Sequence, residues 1–75
     1  MKTKYKHIHF VEDFEQLDSG DTPTYICRNN KTDNTLGIVA YYPPWPWQKY
    51  EFIGEEGAGF DISCLEDIIH FMKQL

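Results

Sequence analysis

Thr24-Tyr25-Ile26-Cys27-Arg28 and Thr35-Leu36-Gly37-Ile38-Val39-Ala40-Tyr41-Tyr42 flank the polar run Asn29-Asn30-Lys31-Thr32-Asp33-Asn34. Both flanks are rich in β-branched and aromatic residues, which suit a pleated surface, and the run between them is made of turn formers. Two such segments joined by a short polar loop read as a β-hairpin, with strands over 24–28 and 35–42. Upstream, residues 5–11 read as a first strand. Lys6, Ile8 and Phe10 share one face there; Tyr5, His7, His9 and Val11 share the other. Residues 12–23 form an acidic, turn-rich loop around Ser19-Gly20-Asp21, with a short turn near Phe14 and Leu17.

Downstream, three prolines in Pro43-Pro44-Trp45-Pro46 remove backbone donors and fix φ, so this stretch is stiff and non-helical. A fourth strand follows over 47–53, and then the loop Gly54-Glu55-Glu56-Gly57-Ala58-Gly59. From Phe60 or Asp61 the chain reads as a helix to its end. Leu65, Ile68, Ile69, Met72 and Leu75 recur at helical spacing in one apolar stripe. Two starts compete: Ser63 with Glu66 fits a capping box, whereas Asp61 as cap places Phe60 to staple onto Leu65. Lys73 suits the negative end of the helix dipole.

Four strands and one helix predict a single α+β domain spanning residues 1–75: a small antiparallel meander with the C-terminal helix on one face. One helix shields only one side of a sheet. If it covers Ile26, Leu36, Ile38, Ala40, Tyr50 and Phe52, the other face carries Tyr25, Cys27, Val39, Tyr41 and Trp47. Tyr5 and the two histidines are candidates to join that second face. Twelve aromatic side chains in 75 residues are more than so short a chain can bury. The remainder calls for loops, a ligand or a second copy, so a homo-oligomer is expected.

The net charge of −5 and pI near 4.9 count against a broad binder of long nucleic acid, which needs a basic face. A small nucleotide remains open, because one or two placed cations suffice. The chain shows no transmembrane span and no apolar signal-peptide core, so the cytoplasm is the expected compartment and no membrane partner is expected. Cys27 and Cys64 lack metal-ligand spacing and read as reduced, buried thiols.

Catalytic and metal constellations are thin. His7-x-His9 puts two imidazoles on one strand face, but nothing marks a third ligand; two solvated histidines are the plainer reading, and no metal is expected. Gly57-Ala58-Gly59 before a helix is too short for a phosphate-binding turn, and Glu55 and Glu56 would repel the anion. Cys64 near a helix N-terminus would have its thiol pKa lowered by the dipole, yet His70 lies nearly two turns on. No Ser-His-Asp set can be assembled. The chain is therefore read as non-catalytic, with no cofactor.

What remains is aromatic and cationic: Tyr41, Trp45, Trp47 and Tyr50, with Lys49 in phase with Trp47 and Arg28 at the end of its strand. Aromatic faces stack on bases at about 1–3 kcal/mol each. The expected ligand set is Trp45, Trp47 and Tyr41 for stacking, with Lys49 and Arg28 against phosphate. The alternative is that Trp47 and Tyr50 are core.

From Cys27 onward the chain resembles a group of small, largely uncharacterised proteins encoded by bacteriophages and their bacterial hosts. The shared parts are Asn29-Asn30, Leu36-Gly37-Ile38, Tyr42-Pro43-Pro44 with Trp47, Tyr50-x-Phe52, and Cys64-Leu65 with Ile68 and Phe71. The chain departs from the pattern at Tyr41, where members carry Trp, and at Gln48, where they carry Arg. Trp45-Pro46 reads as an inserted pair. The resemblance implies a phage accessory protein, a class that includes anti-defence sponges for nucleotide immune signals and direct inhibitors of host proteins. The two expectations are sequestration of a nucleotide-like signal by a homo-oligomer and, alternatively, inhibition of a host protein through the Pro-Trp loop.

Overall fold

The computed structural model describes residues 1–13, 23–42 and 49–75. They contain β1 (Ile8–Asp13), β2 (Thr24–Asn29), β3 (Thr35–Tyr42), β4 (Lys49–Gly54) and one helix, α1 (Ile62–Met72). The strands pair antiparallel in the order β1-β2-β3-β4. The protein is thus an α+β meander with a single C-terminal helix packed on one face. The expected turn near Phe14 and Leu17, the Pro-Trp stretch, and both Trp45 and Trp47 lie outside the described residues.

The central hairpin closes on its own polar side chains. The Asn29 carboxamide oxygen accepts from the Lys31 and Thr32 N–H groups at 2.8 and 3.2 Å, an Asx turn. Asp33 adopts φ 61°, a left-handed conformation that Asp tolerates better than most residues. The pairing register shifts between Cys27 and Arg28, at the loop end of the hairpin.

β1 begins at Ile8, three residues later than the alternation predicts. Residues 3–7 instead fold back along the strand: the Phe10 N–H donates to the Thr3 carbonyl at 2.8 Å, and the Tyr5 N–H to that of Ile8 at 2.9 Å. His7 consequently precedes the strand and does not share its face with His9. The turn back is tied to the far end of the chain. The Lys2 N–H donates to Gln74 Oε1 and Gln74 Nε2 donates to the Lys2 carbonyl, both at 2.8 Å. Tyr5 and His70 Nδ1 share a further 2.8 Å hydrogen bond.

For Tyr25, Cys27 and Val39 against Ile26 and Ile38 the inward and outward faces are opposite to the sequence expectation, whereas Leu36, Tyr50 and Phe52 pack inward as expected. The buried set is Ile8, Phe10, Tyr25, Cys27 and Val39 from the sheet, joined by Ile68 and Phe71 of α1; Tyr50 and Phe52 pack against it. Register explains the correction. Phe10 pairs with Cys27, Tyr25 with Val39, and Val39 with Phe52. Odd positions of β2 and β3 therefore share a face with even positions of β4, which separates Tyr50 and Phe52 from Ile26 and Ile38. Those two isoleucines line the face opposite α1 with Val11 and Ile53, each paired with the next across all four strands.

Phe71 anchors α1. It is fully buried, stacks on Phe10 with ring centroids 3.9 Å apart, and receives the edge of Tyr25 at 5.1 Å. This seats the helix over β1 and β2 and turns its apolar stripe. Cys64, Ile68, Phe71 and Met72 meet the sheet, while Leu65 and Ile69 of the expected stripe stay 44% and 51% exposed. The helix start is settled by Asp61, whose carboxylate accepts from the Cys64 N–H at 2.8 Å and from the Ser63 hydroxyl at 3.1 Å. Ser63 is a donor to the cap and not the cap itself. Phe60 lays its edge on Phe52, at 5.3 Å between centroids.

Candidate functional site

Because α1 sits over β1 and β2, the inner face of β3 and β4 is only partly covered. A groove of about 610 Å³ opens there between Tyr41 and Tyr50 on the sheet and Ile69, Met72 and Leu75 at the helix end, with Lys49 and Lys73 at its rim. Pairing across β3 and β4 brings the two tyrosines together, rings 5.3 Å apart and close to perpendicular. Such a pair offers one ring face and one ring edge, the arrangement a flat π-system can join. Burial raises the Tyr50 pKa above its ordinary value, and the nearby Tyr41 and Glu12 charges push the same way. Tyr50 therefore presents a neutral hydroxyl, able to donate a hydrogen bond into the groove.

Charge at the groove is cationic at the rim and acidic behind. Glu12 lies close enough to raise both Tyr25 and Tyr50, after burial. The helix end contributes partial negative charge from its last carbonyls, which the neighbouring Lys73 opposes. The groove is thus equipped for an apolar, flat body with its anionic part turned out toward Lys49 and Lys73.

Of the ligand set expected from sequence, Tyr41 and Lys49 line this groove. Arg28 does not join them. It pairs with Thr35, six residues before Tyr41 on β3, and so lies about 20 Å along the sheet. Its guanidinium is turned to Asp33, Nη1 reaching Oδ2 and the backbone carbonyl at 3.4 Å each. Trp45 and Trp47 lie outside the described residues. Sequence reasoning assigned Ile69, Met72 and Leu75 to the core and Lys73 to the helix dipole. The signal it passed over is the surplus of apolar positions on α1: Ile62, Leu65 and Ile69 form a second flank beyond the one a sheet can cover.

The other polar clusters are occupied by the chain itself. A hollow of about 360 Å³ at the N-terminus of α1 is lined by Lys6, His7, Lys31 and Cys64, but Asp61 already fills the anion position there. That cap bond lowers the Asp61 pKa, chiefly through the Cys64 N–H. The helix dipole does not activate Cys64: burial and the adjoining Asp61 raise its pKa, as suits a thiol packed against the core. Cys27 is pushed up to about 12, first by burial and then by Cys64, and both thiols are free. His9 directs Nδ1 to Asn30 at 2.7 Å and Nε2 to Asp33 at 3.3 Å, so neither nitrogen is open to a metal. Among the described residues no group of three or more His, Cys, Asp or Glu could hold a metal ion, and no helix is long and apolar enough to cross a membrane.

Comparison with known proteins finds no protein family, no curated protein and no solved structure that matches the chain.

Proposed function

We propose that this chain is a non-catalytic binding protein that sequesters a flat, nucleotide-like anion in the groove between β4 and α1. The observation that carries the reading is the convergence of Tyr41 and Tyr50 with Lys49 and Lys73 around one apolar cleft. The base lies against the tyrosines and the helix side chains, and the phosphate reaches the two ammonium groups at the rim. Among the described residues the groove is lined by tyrosine, lysine and aliphatic side chains, with no thiol, imidazole or carboxylate, which supports storage over turnover. The resemblance to phage accessory proteins supports the same role: an immune nucleotide signal bound and withheld.

Native mass spectrometry of gently purified protein, followed by titration with a cyclic dinucleotide and with the matching nucleoside, tests this. The expected result is binding of the dinucleotide that weakens at least about fivefold in Lys49→Ala and in Lys73→Ala, with the uncharged nucleoside far weaker and indifferent to both. Equal binding of nucleoside and nucleotide would remove the phosphate role of the lysines.

A second reading, docking to a host protein, is favoured by the face opposite α1, which no described segment covers. Val11 and Ile53, at the two ends of its β-branched row, are 42% and 49% exposed. Ile38→Asp separates the two readings: it abolishes capture of a protein partner and leaves nucleotide binding in the groove unchanged.

A further inference from the structure

We infer that the protein dimerises by pairing β4 with β4 of a second copy, antiparallel, about a two-fold axis midway between the two copies of Phe52. The two outer edges of the sheet differ. On β1, the turned-back N-terminal residues take up part of the edge, with Lys4 bridged to His9 and the Thr3 carbonyl accepting from Phe10. On β4, no described segment pairs outside the strand. The Glu55 N–H donates inward to the Leu36 carbonyl at 2.8 Å, which sets the phase of the strand. Inward and outward residues alternate along an antiparallel ladder, so Tyr50, Phe52 and Gly54 turn their N–H and C=O groups outward. An uncovered row of such groups is a template for another strand.

Symmetry and charge then select one register. A closed dimer that extends the sheet needs its two-fold normal to the sheet, because cross-strand neighbours share a face; one residue therefore lies opposite its own copy, with the axis between them. An axis at Glu51 sets that carboxylate against itself, and an axis at Ile53 sets Glu51 against the partner's Glu55. Like charges directly opposite destabilise a pair. An axis at Tyr50 overlaps only the first three residues of the strand. At Phe52, Lys49 faces the partner's Glu55 at both ends, and Tyr50 faces the partner's Gly54. Every outward backbone group of Tyr50, Phe52 and Gly54 gains a partner.

The pairing also completes the groove. Gly54 carries the Phe60 ring over its inner face, so close that a Cβ there would meet that ring at 3.2 Å. Tyr50 lines the groove and lies opposite the partner's Gly54, so the partner's Phe60 comes beside Tyr50 and walls the flank left open in one copy. Because β1 is partly closed, growth stops at two copies instead of continuing as a filament.

The dimer does not depend on what the groove binds, and ligand-free sedimentation reads it alone. The wild-type chain is expected to sediment as a concentration-dependent dimer. Glu55→Lys and Lys49→Glu should each weaken it by about tenfold or more, and the double reversal should restore it. Hydrogen exchange on the unaltered protein gives a second readout that needs no variant: protection of the Phe52 N–H should rise with protein concentration. A monomer at every concentration, a dimer indifferent to the reversals, or a Phe52 N–H whose exchange ignores concentration would overturn the pairing. A dimer that binds no nucleotide would leave the pairing standing and remove only the ligand reading.

Discussion

The β1 side and the β4 side of this small sheet solve the same problem in opposite ways. Under β1 and β2, Phe10, Tyr25, Ile8 and Cys27 are closed over by Phe71 and Ile68, and the N-terminal turn is strapped to the helix end through Gln74. Over β3 and β4, Tyr41 and Tyr50 are half-buried, Ile69 of the facing helix is exposed, and a groove remains. A helix about 10 Å across, seated over β1 and β2 by Phe71, leaves part of the inner face of β3 and β4 open. The difference places the closed core on one side of the molecule and the open groove on the other.

Phe71→Ala attacks the closed side and carries the largest expected effect. Losing a fully buried ring that stacks on one aromatic and meets the edge of another costs about 3–5 kcal/mol, against a total of about 5–15 for a domain. Chemical denaturation should show a protein largely unfolded or melting far below the parent. A near-normal midpoint would mean the two sides do not differ as described.

Gly37→Ala probes the boundary between the sides and is expected to be intermediate. An added Cβ would lie 2.5 Å from the Phe52 ring and 2.7 Å from the Ile53 carbonyl, so backbone as well as side chain must move. The overpacking cost of about 1–3 kcal/mol exceeds the roughly 0.4–1 kcal/mol that Gly→Ala can gain through the unfolded chain. A lowered thermal midpoint is the expected outcome, and an unchanged or raised one would show that Phe52 yields freely.

Ile69→Ser belongs to the open side and should be the mildest for stability, within about 0.5 kcal/mol, because the side chain is 51% exposed. Its effect should appear in the groove instead, as weaker binding with an unaltered melting curve. If the melt falls as it does for Phe71→Ala, the groove is part of the core.

Much of this architecture was legible in local pattern. The strand 35–42 and the helix body were read at or near their observed limits, because alternation and helical spacing are properties of a few consecutive residues. The first strand was misplaced by three residues, since Tyr5 and His7 continue the alternation of Ile8 and Phe10 although backbone bonds to Thr3 and Ile8 turn them back. The candidate site was legible only in part. Tyr41 and Lys49 were found as an aromatic and a cation close in sequence, but Lys73 and Ile69 join them from the far end of the chain. Arg28 was grouped with them by residue type, and the strand register carries it to the other end of the sheet.

The sequence by itself determined that this chain is an antiparallel meander with a C-terminal helix, and that it holds more aromatic surface than one helix can hide. Period-two alternation names which residues of one strand share a face, yet it is silent on how neighbouring strands align and on which face turns inward. Tertiary structure decided both, through the pairing of Phe10 with Cys27 and Val39 with Phe52 and through the docking of Phe71 between Phe10 and Tyr25. Those contacts join residues distant in the chain, and their burial favours the aromatic face over the one carrying Val11, Ile26, Ile38 and Ile53.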